Sequence, residues 1–467
     1  MAVHLVVGLL LLQDPALIDR HLSELWAERR VKPAPRAPDA EFLRRVTLDL
    51  AGTVPSVDEA RTPPADRAAL VDRLLASDAF ARSWAQRLAR SLVGWPTDEK
   101  LARVDHDGFA SWLRERLAAD APWSELAREM VSATGNLSGG PISFVHQFAA
   151  YDGDAPRLRT DDLAGKVAEE FLGVRLRCAQ CHDHPFDRWT RDDHASMTAF
   201  FRRTGFAKRQ AIERLERPVD AREPRYLDGS AGKDDPSDLA ERLARDPQFA
   251  RAFVNRAWAL MFGRGLVEPW NDFAPARKAV SPALLDELAA AWAKGGFRVR
   301  ALVRAIALSD AYGRSSAGQE AVALAVFACA RVRPLTPDQL FAAIDRATGL
   351  SEVEPERATL ARLGAKSDDV RRWFVDLCVR TSDATAAHAP SRYTANAQQT
   401  LHMMMIDSPI WAGLRARAKA GRVAVDELYL ATLARPPAAA ERERAARLEI
   451  VDLYWSLVNC DEFVFNH

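Results

Sequence analysis

The chain has 467 residues, which at about 150 residues per domain predicts two or three domains. Apolar residues make up 48% of the chain and charged residues 27%, a balance that excludes a wholly disordered protein. Basic and acidic residues number 64 each, so the formal charge is zero and we expect no nucleic-acid partner held by bulk charge.

The N-terminus carries an apolar run at residues 1–12. Its length suits the hydrophobic region of a secretory signal, although no Lys or Arg precedes it and no clear small-residue cleavage site follows. We interpret residues 1–15 as a signal or anchor segment, with a buried first strand or helix as the alternative. The first interpretation predicts a periplasmic or cell-envelope protein and the second a cytoplasmic one. No other apolar stretch approaches the ~20 residues of a membrane-spanning helix, so we expect no further span.

The remaining chain predicts a mostly α fold. Apolar residues recur at helical spacing in the segments 66–76, 80–93, 108–119, 123–131, 238–245, 247–262, 282–293, 299–309, 320–331, 337–348, 368–379, 423–434 and 438–458. Residues 207–236 interrupt this pattern with three prolines and a Gly-Ser-Ala-Gly stretch, which is typical of a linker. We therefore predict two packed helical domains, 16–206 and 237–467, joined by a Pro/Gly-containing linker at 207–236.

Capping residues delimit two helices of the first predicted domain. Thr160 is expected to cap a helix that Gly173 ends, because glycine adopts the left-handed conformation of a helix C-terminus at little cost. Thr190 and Asp193 have the spacing of a capping box ahead of a helix over 194–201.

Between these two helices lies the stretch CAQCHDHPFD at residues 178–187, which contains the C-x-x-C-H pattern of c-type haem attachment. Cys178 and Cys181 are spaced to form thioethers with the two vinyl groups of one porphyrin, and the adjacent His182 would supply an axial imidazole to the iron. The candidates for a second axial ligand are His184, His194, Met197, Met403, Met404 and Met405.

The same residues leave other interpretations open. Two thiolates and nearby histidines would complete a four-coordinate zinc site, and the two thiols alone would form a redox dithiol. A chance occurrence without any cofactor is the remaining alternative. The candidate metal-ligating residues are Cys178, Cys181, His182, His184, Asp187 and His194. The other cysteines lie in apolar helical sequence and are expected to fill the core: Cys329, Cys378 and Cys460.

Segments of both predicted domains resemble known families. FLRRVTLDLAGTVPS at 42–56, LVDRLLAS at 70–77, the CAQCHDHPFD run and AFF at 199–201 are similar to the planctomycete cytochrome-C-type domain, domain of unknown function 1549. Other segments are similar to the usual companion of that domain, domain of unknown function 1553. These are VNRAW at 254–258, FGRGLV at 262–267, LYLATLARPP at 428–437 and EFVFNH at 462–467.

This resemblance implies a secreted or envelope protein in which Cys178 and Cys181 attach haem c and His182 is the proximal ligand. It assigns no reaction. We expect an envelope-associated redox protein with an electron-transfer or oxidoreductase role, acting with a redox partner protein or on a polysaccharide-related envelope substrate. The alternatives are a zinc-binding protein with a structural or catalytic Cys/His site, and a cofactor-free helical scaffold or interaction protein.

One further expectation concerns the second predicted domain. Arg256 lies beside Asn255 in an apolar helical segment, where an isolated guanidinium requires a partner. We therefore predict a buried ion pair between Arg256 and Asp272.

Overall fold

The computed structural model describes residues 15–95, 101, 103–151, 155–208, 210–216, 222–318, 320–350, 369–380, 403, 411–419 and 424–467. All but the last residue of the predicted signal or anchor segment, 1–15, lies outside this part of the chain, as do Met404 and Met405. No helix among the described residues combines the length and the apolar character that a membrane crossing requires.

The fold is mostly α, as the sequence predicts. The first ten helices are α1 (Ala16–Arg29), α2 (Asp39–Ala51), α3 (Val57–Arg61), α4 (Arg67–Ala76), α5 (Asp78–Val93), α6 (His106–Ala118), α7 (Trp123–Val131), α8 (Ile142–His146), α9 (Thr160–Leu172) and α10 (Arg191–Thr198). They are followed by α11 (Pro236–Arg245), α12 (Pro247–Phe262), α13 (Pro282–Lys294), α14 (Val299–Leu308), α15 (Ala321–Ala325), α16 (Pro337–Thr348), α17 (Val370–Arg380), α18 (Ala412–Lys419), α19 (Val425–Leu433), α20 (Ala439–Ala445), α21 (Ile450–Val458) and α22 (Asp461–Val464).

Local sequence signals account for many of the helix ends. Gly173 ends α9 with a φ of 65°, and Thr190 and Asp193 form the predicted capping box of α10. Proline occupies the start of α11, α12, α13 and α16, where its missing N–H leaves no hydrogen bond unmade. The predicted cap at Thr160 is wrong, because α9 already includes Thr160 and the capping position is Arg159, whose side chain makes no capping bond.

Two helices are shorter than the periodicity predicts. The helix predicted over 320–331 is reduced to α15, because the chain takes a left-handed φ of 59° at Phe327. The helix predicted over 438–458 is divided into α20 and α21. Hydrogen bonds from Arg447 and Leu448 to carbonyls three residues earlier tighten the chain after α20 and end it there.

Short antiparallel strands accompany the helices: β1 (Gly135–Asn136), β2 (Ala149–Ala150), β3 (Arg157–Leu158), β4 (Thr204–Lys208), β5 (Ala211–Arg214), β6 (Arg333–Pro334) and β7 (Phe465–Asn466). They form a sheet of order β1-β5-β4 and the pairs β2-β3 and β6-β7. In the first sheet Gly135 lies opposite Ile212. The β4–β5 hairpin occupies the first part of the segment predicted as a linker, so that part forms regular secondary structure.

The chain divides into two compact units, each assembled from separate segments. The first comprises Met1–Val31 and Ala85–Ser309, and the second Lys32–Trp84 and Asp310–His467. Each unit thus takes residues from both predicted domains, and the predicted division at 207–236 stays a prediction.

Aromatic rings pack at the centre of the first unit. The ring centroids of Trp123 and Phe253 are 4.4 Å apart, and Phe253 stacks on Trp292 at 4.9 Å. These contacts bring α7, α12 and α13 together, and α9 also packs on α12. The result is an apolar interior in which the few charged side chains require partners.

The buried ion pair of this interior involves a different carboxylate from the one predicted. Arg256 is 1% exposed and pairs with Glu170 of α9, so the predicted pairing with Asp272 is wrong. Since α9 packs along α12, the Glu170 carboxylate reaches the guanidinium inside the core. Asp272 faces the partly exposed Arg175 and Arg277, at 3.6 and 3.4 Å.

In the second unit, charged residues of α2 bind to segments from the C-terminal part of the chain. Asp49 is fully buried and accepts hydrogen bonds from the Tyr312 hydroxyl at 2.6 Å and from Asn466 of β7 at 3.1 Å. It also pairs with Arg333 of β6. Arg44 donates to the backbone of the final segment of the chain. The FLRRVTLDL and EFVFNH segments therefore pack together in one unit.

Candidate functional site

The C-x-x-C-H segment occupies the connection between α9 and α10. The Gly173 N–H and the Val174 N–H bond to carbonyls of the last turns of α9, which ends the helix and turns the chain outward. Residues Leu176–Ala179 then form one turn of 3₁₀-helix that carries Cys178, and Cys181 lies in the turn that follows. The motif is therefore held at both ends by regular helices.

Both motif thiols are accessible. Cys178 and Cys181 are free and exposed, whereas Cys329 and Cys378 are buried, as predicted, and Cys460 is partly buried. Exposure leaves the two motif sulfurs open to a reaction partner that approaches from solvent. The two motif cysteines are thus exposed, whereas the other three are fully or partly buried.

The ring of His182 is oriented by a backbone carbonyl. Its side chain is exposed, and its Nδ1 lies 2.8 Å from the carbonyl oxygen of Asp183. A carbonyl oxygen only accepts, so Nδ1 donates and carries the ring proton. The neutral imidazole then keeps its free lone pair on Nε2, which is the usual arrangement of a metal-binding histidine.

His184 has the opposite tautomer. Its Nδ1 accepts a hydrogen bond from the Phe186 N–H at 3.1 Å, so in the neutral ring Nε2 carries the proton. Its backbone N–H donates to the Trp189 carbonyl at 2.8 Å and closes the loop. As a ligand through Nε2, His184 would have to give up its bond to Phe186. Asp187, a further candidate ligand, accepts from the Arg188 N–H at 2.7 Å.

His194 lies in the interior. It is 4% exposed on α10, and its Nε2 has no hydrogen-bond partner among the described residues. Burial lowers the pKa of this imidazole, although the carboxylates of Asp161 and Asp162 oppose the shift. The ring is therefore packed against α9 and is not exposed beside the motif. The methionine candidates Met197 and Met403 are also buried, in the first and second unit respectively.

The candidate metal ligands do not form a cluster. Over the part of the chain that the structure describes, no three His, Cys, Asp or Glu side chains come together in a way that could hold a metal ion. The two motif thiols and the His182 imidazole lie on the surface. His184 instead accepts a hydrogen bond within the loop, and His194 is buried on α10. Haem and zinc both stay predictions.

Sequence reasoning missed a cavity beside the motif. Its volume is about 320 Å³, and its walls include Trp189 of the motif loop, Gln248 of α12 and Phe273. These residues come from three separate segments, so no local spacing in the sequence could have pointed to them together. Arg44 and Asp49 lie in the segment that resembles the first family, but sequence reasoning did not predict their buried hydrogen bonds and ion pair.

Comparison with known proteins assigns the family. Residues 17–205 match the family model described as PSCyt2, protein of unknown function (DUF1549), and residues 237–448 match PSD1, protein of unknown function (DUF1553). No curated protein and no solved structure matches the chain significantly. The chain therefore belongs to the PSCyt2 family over residues 17–205 and to the PSD1 family over residues 237–448, in the order that its motifs predict.

Proposed function

We propose that this protein is a redox protein of the cell envelope that attaches one c-type haem at Cys178 and Cys181. The observation that carries the proposal is the state of the motif: two free, exposed thiols and an imidazole whose Nδ1 is bonded to a backbone carbonyl. A haem attachment site needs these three side chains and no more from the motif.

The residues present fit this group. Each thiol would add across a vinyl double bond of the porphyrin, so that Sγ bonds to one carbon and the thiol proton goes to the other. His182 would hold the iron through Nε2, with its ring fixed by the Asp183 carbonyl. The bound haem would supply a one-electron couple, which suits exchange with a redox partner protein. Because covalent attachment of haem c takes place outside the cytoplasm, the proposal also implies that the protein is located in the cell envelope.

Zinc is less well supported. A structural zinc site takes four ligands. Here the fourth ligand would have to be His184, which would break its hydrogen bond from the Phe186 N–H, His194, which would leave its buried position on α10, or Asp187; and among the described residues no three such side chains come together. Haem attachment uses the exposed groups as they stand, which is why we favour it over the zinc and scaffold alternatives.

The experiment compares two histidine variants. The full chain is exported from a host that has haem-attachment machinery, and its absorption spectrum is recorded as wild type, His182→Ala and His467→Ala. We expect a haem spectrum in the wild type, an altered or absent one in His182→Ala, and a wild-type spectrum in the control His467→Ala, which changes a partly exposed histidine outside the motif. A colourless wild-type protein, or equal effects of the two substitutions, would contradict the proposal.

A further inference from the structure

The motif cysteines lie on one side of a 3₁₀ turn. Leu176–Ala179 form this turn, and the Cys178 and Gln180 N–H groups each donate to a carbonyl three residues earlier at 3.2 Å. The φ and ψ of Gln180, −63° and −43°, continue the helical path toward Cys181. In a 3₁₀-helix, side chains three positions apart eclipse one another. Cys178 and Cys181 therefore project from the turn in the same direction.

Exposure along the turn follows the same spacing. Leu176 and Ala179 are fully buried, whereas Cys178 and Cys181 are exposed. The buried pair anchors the turn in the apolar interior of the first unit. One side of the turn is thus fixed in the core, and the thiols lie on another side, where solvent reaches them.

The remaining side of the turn is attached to α9. The Arg177 guanidinium pairs with Asp162 at 3.0 Å, and the Gln180 side-chain amide donates to the Asp161 carboxylate. Both carboxylates belong to the first turn of α9, where the helix dipole favours negative charge. Two neighbouring carboxylates of one helix thus hold the residue that precedes each motif cysteine.

Gly165 gives Arg177 its path across α9. Glycine in the middle of a helix is less stable than alanine, so its presence there calls for a packing reason. A Cβ at Gly165 would collide with Cγ of Arg177 and lie 3.1 Å from its Cδ. Asp162 and Gly165 are three positions apart and share a face of the helix. The bare backbone at Gly165 therefore lets the Arg177 stem lie on α9 and reach Asp162.

We propose that Arg177 and Gln180 are positioning residues, which align the two motif thiols before any group is bound to them. Their attachments to α9 fix the orientation of the turn, so both sulfurs face solvent together. A group that takes both thiols at once then meets a pair already arranged, and less conformational freedom is lost on binding. The use of this alignment by haem rests on the proposed function, whereas the alignment itself does not.

The test uses phenylarsine oxide, whose arsenic forms two As–S bonds while its oxygen leaves as water with the two thiol protons. The probe is titrated into the reduced full chain, made in a host without haem-attachment machinery, with Cys178→Ala/Cys181→Ala as the background. We expect the wild type to bind one equivalent, and Arg177→Ala and Gln180→Ala each to bind about fivefold more weakly. The matched control is Arg159→Ala, which should bind as the wild type does, since Arg159 pairs with the same Asp162 at 2.8 Å and lies outside the turn.

A second reagent separates alignment from exposure. N-ethylmaleimide reacts with one thiol at a time, so its rate should be the same in the wild type and in these three variants. The urea midpoint should also be unchanged in Arg177→Ala, because that side chain is 55% exposed. Gly165→Ala keeps Arg177 but displaces its stem, and it should weaken arsenical binding as Arg177→Ala does. If Gly165→Ala fails to fold, Arg177→Ala carries the test.

Each outcome decides the matter. Arsenical binding in Arg177→Ala as tight as in Arg159→Ala would overturn the proposal. So would a wild type that reacts with N-ethylmaleimide but does not bind the arsenical, or equal losses with both reagents. Haem attachment is read separately, from the intact mass of the exported protein. A chain that binds the arsenical but carries no haem contradicts only the proposed function.

Discussion

Asn466 donates a hydrogen bond to the Asp49 carboxylate at 3.1 Å, across 417 positions of the sequence. Tyr312 and Arg333 reach the same carboxylate from the C-terminal segment of the second unit. Asp49 is fully buried, so these hydrogen bonds and this ion pair replace the water that its carboxylate loses on folding. One side chain near the start of the chain thus organises polar groups of β6, β7 and the turn after α14.

Removal of the Asp49 carboxylate should strongly destabilise the protein. Asp49→Ala takes the carboxylate away from Tyr312, Asn466 and Arg333, whose side chain is 17% exposed, and we expect the free energy of unfolding to fall by about 3–5 kcal/mol. Urea unfolding followed by circular dichroism measures this loss. The control is Asp58→Ala, whose side chain is 94% exposed, where the loss should stay within about 1 kcal/mol. Equal losses in the two variants would show that the network is not stabilising.

The same network predicts that the PSCyt2 region cannot fold fully by itself. Residues 17–205 contain Asp49 and the apolar side chains of Leu48 and Val54, but their packing partners lie in 310–467. Expressed alone, this region should be digested rapidly between 32 and 84 in limited proteolysis, and co-expression with residues 237–467 should restore protection. A fragment that resists proteolysis without its partner would contradict this account.

The helical elements could be predicted from the sequence because their signals are local. The capping box of Thr190 and Asp193 and the helix end at Gly173 are encoded within a few residues, and the structure has both. Apolar periodicity located most helices but did not detect the turn at Phe327, where one left-handed residue ends α15 within an apolar segment.

The long-range pairings could not be predicted in this way. The partner of Arg256 depends on how α9 packs along α12, and spacing near Arg256 pointed to Asp272 rather than Glu170. For the candidate site, the sequence identified the motif, but not the opposite tautomers of His182 and His184. These follow from which backbone group each Nδ1 meets in the folded loop.

The Arg256–Glu170 pair should behave as a buried ion pair. Glu170→Ala leaves a guanidinium that is 1% exposed without its partner, and we expect a loss of about 3–5 kcal/mol in the free energy of unfolding. The double variant Arg256→Met/Glu170→Leu should recover much of that loss, because no fully buried charge is then left without a partner. Lys166, which also pairs with Glu170 at 2.7 Å, is 19% exposed and keeps contact with water. The exposed pair of Arg245 and Glu241 gives the control, Glu241→Ala, with a loss within about 1 kcal/mol. A double variant no more stable than Glu170→Ala would refute this interpretation.

Acid should weaken the fold through His194. Burial lowers the pKa of this imidazole in the folded protein, so below its unfolded pKa of about 6.5 the unfolded chain binds the additional proton. The contribution to stability is therefore present above about pH 6.5 and is lost as the pH falls. Urea unfolding at pH 7.5 and 5.5 should show a smaller acid-induced loss in His194→Gln than in the wild type. Equal losses would mean that His194 does not contribute to the acid sensitivity.

Covalent haem at Cys178 and Cys181 is the central claim, and the intact mass of denatured protein tests it most directly. The full chain is exported from a haem-competent host, unfolded, and analysed by mass spectrometry beside the variant Cys178→Ala/Cys181→Ala. We predict that the wild type carries the added mass of one haem through denaturation and that the double variant carries none. A wild-type mass equal to that of the bare polypeptide would contradict the account.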